Sequence, residues 1–259
     1  MRVDRGFFLF FSLFSLSFSS FCLAQNRIVS TNLCIDYLLI DYVQNQKLNP
    51  NRIIALSPFY KKYNQNFLYD FPRHSGSIES IFYLKPDLIL MGAFDSFQTK
   101  QSLKQLGLNI QTLPFPQNLQ ELKLLESAFL NALNLPQNLL KPKTLPVLSS
   151  LHSAQKARVL LLGANFIATG KNTFENDLIQ HLGFQNAVDF DGFHVFSLEK
   201  IVLHPPDFLI FTTPLANNSL ASDRLNHPFL KNIPTLFLND WRLQCAGPWS
   251  LKMLENLKK

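Results

Sequence analysis

None of the short motifs that mark common enzyme sites occurs in these 259 residues: no G-x-S-x-G, no glycine-rich phosphate loop and no H-E-x-x-H. That removes a nucleophile elbow, a phosphate cradle and a zincin-type centre as local motifs. Gly163 and Gly170 alone make no cradle. Asp189 and Asp191 read as solvated residues of an Asp/Gly turn. The six histidines are His74, His152, His181, His194, His204 and His227, and none forms a close H-x-H or H-x-x-x-H set with a carboxylate. A site for a bare metal ion would have to gather ligands that are distant in sequence.

Charge is scarce too. Charged residues make up 16% of the chain, against roughly 25% in an average soluble protein. The net charge of +6 is scattered, with Lys61-Lys62 and Lys258-Lys259 as the adjacent pairs. Nucleic-acid binding wants a clustered basic stripe, so no nucleic acid is expected as a partner. Beyond residue 24 no segment is long and apolar enough to span a bilayer. Cysteine is nearly absent, with Cys22, Cys34 and Cys245 the complete set.

The first 24 residues have a basic start, an apolar stretch of Phe, Leu and Ser from Gly6 to Phe21, and small residues at Cys22 and Ala24. This is the grammar of a secretory signal peptide cut after Ala24, so the mature chain is expected to begin at Gln25. The bulky Phe21 argues against a lipid on Cys22. Export would permit a Cys34–Cys245 disulfide, and two buried thiols behaving as small hydrophobes are the alternative.

An internal repeat organises the rest. Ser77 to Leu90 reads S-I-E-S-I-F-Y-L-K-P-D-L-I-L, and Ser197 to Ile210 reads S-L-E-K-I-V-L-H-P-P-D-F-L-I. Each copy places a Ser at an N-cap and a Glu (Glu79 or Glu199) in the first turn, where the helix dipole favours an anion. Pro86 or Pro206 ends the helix. An Asp then precedes a wholly apolar strand, the pattern of a parallel sheet covered on both faces. Strands over Arg27–Ser30, Arg52–Leu56, Leu88–Met91, Ile110–Leu113, Arg158–Leu162, Phe208–Phe211 and Thr235–Leu238 are expected. Helices are expected over Cys34–Val43, Phe97–Leu106, Phe174–Leu182 and Leu251–Leu257. The spacing of Leu122, Leu125, Phe129 and Leu133 predicts a helical connector broken by Pro136, Pro142 and Pro146. The expected organisation is a signal peptide 1–24, an α/β lobe 25–118, a helical connector 119–156 and a second α/β lobe 157–259. Each lobe is built of parallel βαβ units, and a ligand cleft lies between them.

Two like lobes, one helical connector and an export signal resemble the periplasmic binding proteins for iron-siderophores, heme and cobalamin. The stretches that carry the resemblance are R-I-V-S-T-N from Arg27, the run from Gly76 to Leu90, S-L-E-K-I from Ser197, N-D-L-I-Q-H-L-G-F-Q-N-A from Asn176 and H-P-F-L-K-N-I-P from His227. The resemblance implies a periplasmic binding function without a cofactor of its own rather than an enzyme, with an iron or cobalt chelate as ligand, an ABC permease of the inner membrane as partner, and a monomeric chain. It also implies that Glu79 and Glu199, on the outer face of each lobe, pair with permease arginines.

Loops at the carboxyl ends of parallel strands line such clefts. The candidates for ligand contact are Asn32, Tyr60, His74 and Phe94 in the first lobe. In the second they are Asn165, Phe166, Phe193, His194 and Trp241. His74 and His194 hold equivalent places before their repeat helices, so a pair of axial ligands across the cleft is one expectation and ordinary loop histidines the other. Two rival readings remain. A free metal-ion binder would need three or four converging ligands, and a secreted α/β hydrolase would need a nucleophile such as Ser30 or Ser57 beside His74.

Overall fold

The computed structural model describes residues 27–60, 69–140, 157–212, 224–236 and 245–250. The first half folds as β1 (Ile28–Ser30), α1 (Leu33–Gln44), β2 (Ile53–Ala55), α2 (Ile78–Tyr83), β3 (Leu88–Gly92), α3 (Phe97–Gln105) and β4 (Ile110–Leu113). Its strands form one parallel sheet in the order β2-β1-β3-β4. The helices start where short polar side chains cap them. Asn32 accepts from Cys34 N–H, Ser77 from Ser80 N–H and Ser96 from Thr99 N–H.

The connector contributes α4 (Leu122–Ala132). The expected stripe is real, because Leu122, Leu125, Phe129 and Leu133 are all buried. The helix stops at Asn134, which takes a left-handed φ of 53°, two residues before Pro136. Pro142 and Pro146 lie outside the described residues.

The second half gives β5 (Arg158–Leu162), β6 (Ile167–Thr169), α5 (Phe174–His181), β7 (Gln185–Asn186), β8 (Phe193–Val195), α6 (Leu198–Leu203), β9 (Phe208–Phe211) and β10 (Thr235–Leu236). This is a separate sheet in the order β10-β9-β5-β6-β8, with β7 also on β5. Strands β5, β7, β9 and β10 run parallel, but β6 and β8 are antiparallel additions. The expected parallel βαβ units are present in both sheets, and the antiparallel strands are an addition to the second. Residues 164–166 and 193–195, read as loops, belong to this antiparallel extension.

The continuous apolar strands have a simple cause: alternate residues face two apolar layers. Ile28, Leu88 and Leu90 of the first sheet and Val159, Leu161 and Ile210 of the second lie in one shared core. Helices α1, α4 and α5 complete that core, with Tyr42 and Phe129 packed edge to face at 4.9 Å. The residues between them on the same strands face outward layers, Val29, Ile89 and Met91 in one lobe and Leu160, Leu162 and Leu209 in the other. The lobes are therefore two sheets built against one core, and α4 sits at its seam. Leu119 N–H, at the start of the connector, donates to Asp177 of α5 at 2.7 Å.

The repeat extends further than the sequence match suggests. Asp87 accepts the backbone N–H of Arg27 at 2.8 Å, and Asp207 accepts that of Arg158 at 2.6 Å. In each lobe the Asp after the helix-ending proline thus fixes the start of the central strand. The two arginines also cap nearby carbonyls, Arg27 those of Leu84 and Lys85, Arg158 those of Ala187 and Pro205.

Candidate functional site

The carboxyl ends of β1 and β3 are joined by one acid. Asp95 accepts from Thr31 Oγ1 at 2.6 Å, from Asn32 Nδ2 at 3.0 Å and from Gly92 N–H at 2.9 Å. Asn32 is fully engaged, since its Oδ1 caps α1 through Cys34 N–H at 2.9 Å. A Cβ at Gly92 would meet Asn32 Nδ2 at 2.6 Å, so only glycine lets the Asn32 side chain cross the end of β3.

Behind this rim lies a buried polar layer. Asp36 of α1 is fully buried and accepts from the Ser57 hydroxyl at 2.5 Å and the Ser57 N–H at 3.2 Å. Burial pushes its carboxyl up to about 7, with the bonds from Ser57 acting against the rise. His74 is also buried. Its Nδ1 accepts the N–H of Gly76 at 3.0 Å, which leaves Nε2–H to donate to the Ser30 carbonyl at 2.9 Å. Burial holds its imidazole below the ordinary histidine range, and the bond to Ser30 acts the other way. With both ring nitrogens committed to backbone, His74 does not present a nitrogen for axial ligation. Nor does it face a serine nucleophile: Ser57 Oγ donates to Asp36 and Ser30 Oγ to the Asn32 carbonyl at 3.1 Å. The Ser–His pair on which a hydrolase reading rested is not formed.

Tyr60 is likewise a core residue. It is buried, its hydroxyl donates to the Tyr69 carbonyl at 2.8 Å, and its ring packs on Phe71 at 6.5 Å. Phe94 is 80% exposed, and its ring is tilted on Phe115 at 5.1 Å. Together they flank a recess of ≈ 170 Å³. Its lining runs from Asn32, Cys34 and Ile35 through Ala93 and Phe94 to Leu113–Pro116, with Leu125 of α4 and Ala246 closing the far side. The surface is mostly apolar, so it offers contact area with few directed bonds. Phe115 was not singled out from sequence. The rule that found Phe94 at the end of β3 finds Phe115 two residues past the end of β4.

In the second lobe, Asn165 and Phe166 form the tight turn between β5 and β6, both left-handed at φ 56° and 58°. That conformation is costly for a bulky residue. Asn165 is exposed, while Phe166 is half-buried against the outer core of its lobe. Phe193 and His194 lie exposed on the edge strand β8, with the His194 ring against the edge of Phe190 at 4.8 Å. His74 and His194 therefore occupy unlike settings, one buried and bonded, the other exposed on a strand. Trp241 lies outside the described residues. Among the described residues no three His, Cys, Asp or Glu side chains gather to hold a metal ion.

Glu79 and Glu199 are both exposed in the first turns of α2 and α6. Glu199 is held below the ordinary carboxylate range by its own backbone N–H first and the Ser197 hydroxyl second. The start of α2 is tied by His74 to the end of β1, and the start of α6 by Phe196 N–H to the Phe166 carbonyl at 2.7 Å. The starts of both helices thus lie on the side of their lobes where the strand ends emerge. No helix of the described residues is long and apolar enough to cross a membrane.

No protein-family model matches the chain, and no curated protein matches it in sequence. Solved structures do match in shape. A periplasmic heme-binding protein from Pseudomonas aeruginosa superposes with a TM-score of 0.70 at 17% identity, covering 90% of this chain and 91% of that one. The periplasmic heme-binding protein RhuT from Roseiflexus sp. RS-1 gives 0.69 at 19% identity, covering 90% and 96%. The periplasmic vitamin B12-binding protein BtuF of Vibrio cholerae gives 0.61 at 20% identity, covering 90% and 94%. Likeness at these identities speaks for architecture, and in architecture this chain is a two-lobed α/β protein with the fold of periplasmic heme- and vitamin B12-binding proteins.

Proposed function

We propose that the chain is the periplasmic solute-binding component of an ABC import system, exported by the 1–24 signal peptide, which binds a metal chelate and passes it to the membrane permease. The ligand class is an iron-siderophore, heme or cobalamin, and the chain itself performs no chemistry on it. The observation that carries this reading is the apolar, aromatic-walled recess at the strand ends, set in a fold that, over 90% of the chain, is shared with heme- and vitamin B12-binding proteins. A planar or bulky chelate is recognised by such a surface through area rather than through charge. Phe94 contacts the ligand in this reading, with Phe193 and Trp241 from the opposite lobe. Glu79 and Glu199 meet cationic residues of the permease. Capture from a mixture of heme, ferric siderophores and cobalamin, read by the absorbance of the re-purified protein, tests it. One chelate retained at one per chain is expected, and a colourless folded protein would overturn the reading.

A further inference from the structure

Residues 245–250 form a short knot bonded to itself. Gly247 N–H donates to Ser250 Oγ at 3.1 Å, Ser250 N–H to the Gly247 carbonyl at 3.0 Å, and Trp249 Nε1–H to the Cys245 carbonyl at 2.8 Å. The Trp249 ring lies so close over Gly247 that a Cβ there would have no room. Apolar packing seats the knot, with Cys245, Ala246 and Trp249 buried in the shared core beside Tyr37. A disulfide from Cys245 to Cys34, in the first turn of α1, fastens it there.

The two sulfurs belong to unlike settings. Cys245 is 2% exposed. Cys34 is half-buried and lines the recess whose far side Ala246 closes. Exchange requires a thiolate to reach one sulfur of the bond, and buried cysteines are inert for want of that access. Here access lies at Cys34, through the recess itself.

We propose that this disulfide is a thiol-exchange site, a latch on the recess that a dithiol reductant opens. A thiolate of the reductant attacks Cys34 Sγ, the Sγ–Sγ bond breaks, and Cys245 leaves as a thiolate that takes up a proton. The second thiol of the reductant then attacks its own sulfur in the mixed disulfide. Cys34 is released as a thiol and the reductant is left as a disulfide, so two electrons and two protons pass to the chain. Residues 245–250, bonded among themselves, move away as a unit, and Ala246 leaves the recess wall. The link to ligand rests on the solute-binding reading. A ligand in the recess covers Cys34, and the reduced chain has lost one wall of its ligand surface, so occupancy and reduction oppose each other.

The Trp241→Phe variant leaves Trp249 as the one tryptophan. Its oxidised form is treated with dithiothreitol, thiols are counted with a maleimide, and Trp249 emission and far-UV circular dichroism are followed. The reduction rate is expected to stay flat from zero urea to the onset of unfolding, because local access suffices. Trp249 should then become severalfold more quenchable by acrylamide while the far-UV spectrum is kept. A rate that climbs with urea as global unfolding does, a Trp249 that stays protected after reduction, or loss of the far-UV signal with the bond would overturn the latch. On the unaltered chain, the chelate retained in the capture experiment (gallium protoporphyrin standing in for hemin, since thiols do not reduce it) is added at about 100 times its dissociation constant and should slow reduction about 100-fold. A bound chelate that leaves the rate unchanged overturns the link to the recess. If no chelate binds, the solute-binding reading fails, and the urea and quenching series still decide the latch.

Discussion

Cys34 and Cys245, 211 residues apart, are joined by a disulfide that brings their Cα atoms to 5.1 Å. The bond ties the first turn of α1 to the C-terminal segment at the edge of the recess, where Cys34 and Ala246 are both lining residues. Around it, Trp249 donates its Nε1–H to the Cys245 carbonyl at 2.8 Å and meets the Tyr37 ring edge-on at 6.4 Å. Closing so long a loop restricts the unfolded chain strongly. The double variant Cys34→Ser/Cys245→Ser should lose roughly 3–5 kcal/mol of stability. Urea unfolding with and without reductant measures it, and a variant as stable as the oxidised parent would contradict a stabilising bond.

Glu175 is buried in the first turn of α5, and its Oε2 has no hydrogen-bond partner among the described residues. Burial pushes the carboxyl from 4.5 up to about 7, with its own backbone N–H opposing. The folded chain then binds more protons than the unfolded chain between those values, so stability falls as pH rises through that window and levels off above it. Glu175→Gln should be more stable than the parent at pH 8 by roughly 1–3 kcal/mol and should match it near pH 4. Taking the difference between variant and parent removes the contributions of Asp36 and His74. A constant difference across pH would refute the account.

The strands and most helices were legible because their cause is local. Arg158–Leu162 and Leu88–Gly92 are short apolar runs bounded by polar turns, and both faces of each are covered. The β6 and β8 pieces were not legible. Each has three residues, too few to show a period, and Phe193–Val195 is exposed throughout. Their pairing depends on contacts between remote segments. The same holds at the site. Phe94 followed from its place at a strand end. The burial of His74 depends on the Ser30 carbonyl, 44 residues away, and that of Tyr60 on Tyr69 and Phe71. The disulfide, open from sequence, is decided by where α1 and the C-terminal segment meet.

His74 tests whether its bonds are structural. His74→Ala strands the Ser30 carbonyl and the Gly76 N–H and should cost roughly 1–3 kcal/mol. The absorbance spectrum of any captured chelate should not change. A shifted band with unaltered melting would make the ring a metal ligand instead.

Phe94 gives the opposite pattern. Because it is 80% exposed, Phe94→Ala should leave the melting temperature within about 2 °C of the parent. Its chelate affinity should fall roughly 10- to 100-fold, as at other aromatic anchors. Equilibrium titration followed by absorbance separates the two effects, and an unchanged affinity would remove Phe94 from the ligand surface.

Thermal melting of the mature chain with and without chelate tests the central claim most directly. A ligand present at about 100 times its dissociation constant adds roughly 2.7 kcal/mol to the folded state. For a chain of this size that corresponds to about 5–10 °C. The account predicts such a rise, saturating at one ligand per chain, with hemin, a ferric siderophore or cyanocobalamin, and none with the corresponding free metal ion. A melting temperature indifferent to all three chelates, or raised as much by the bare ion, would contradict it.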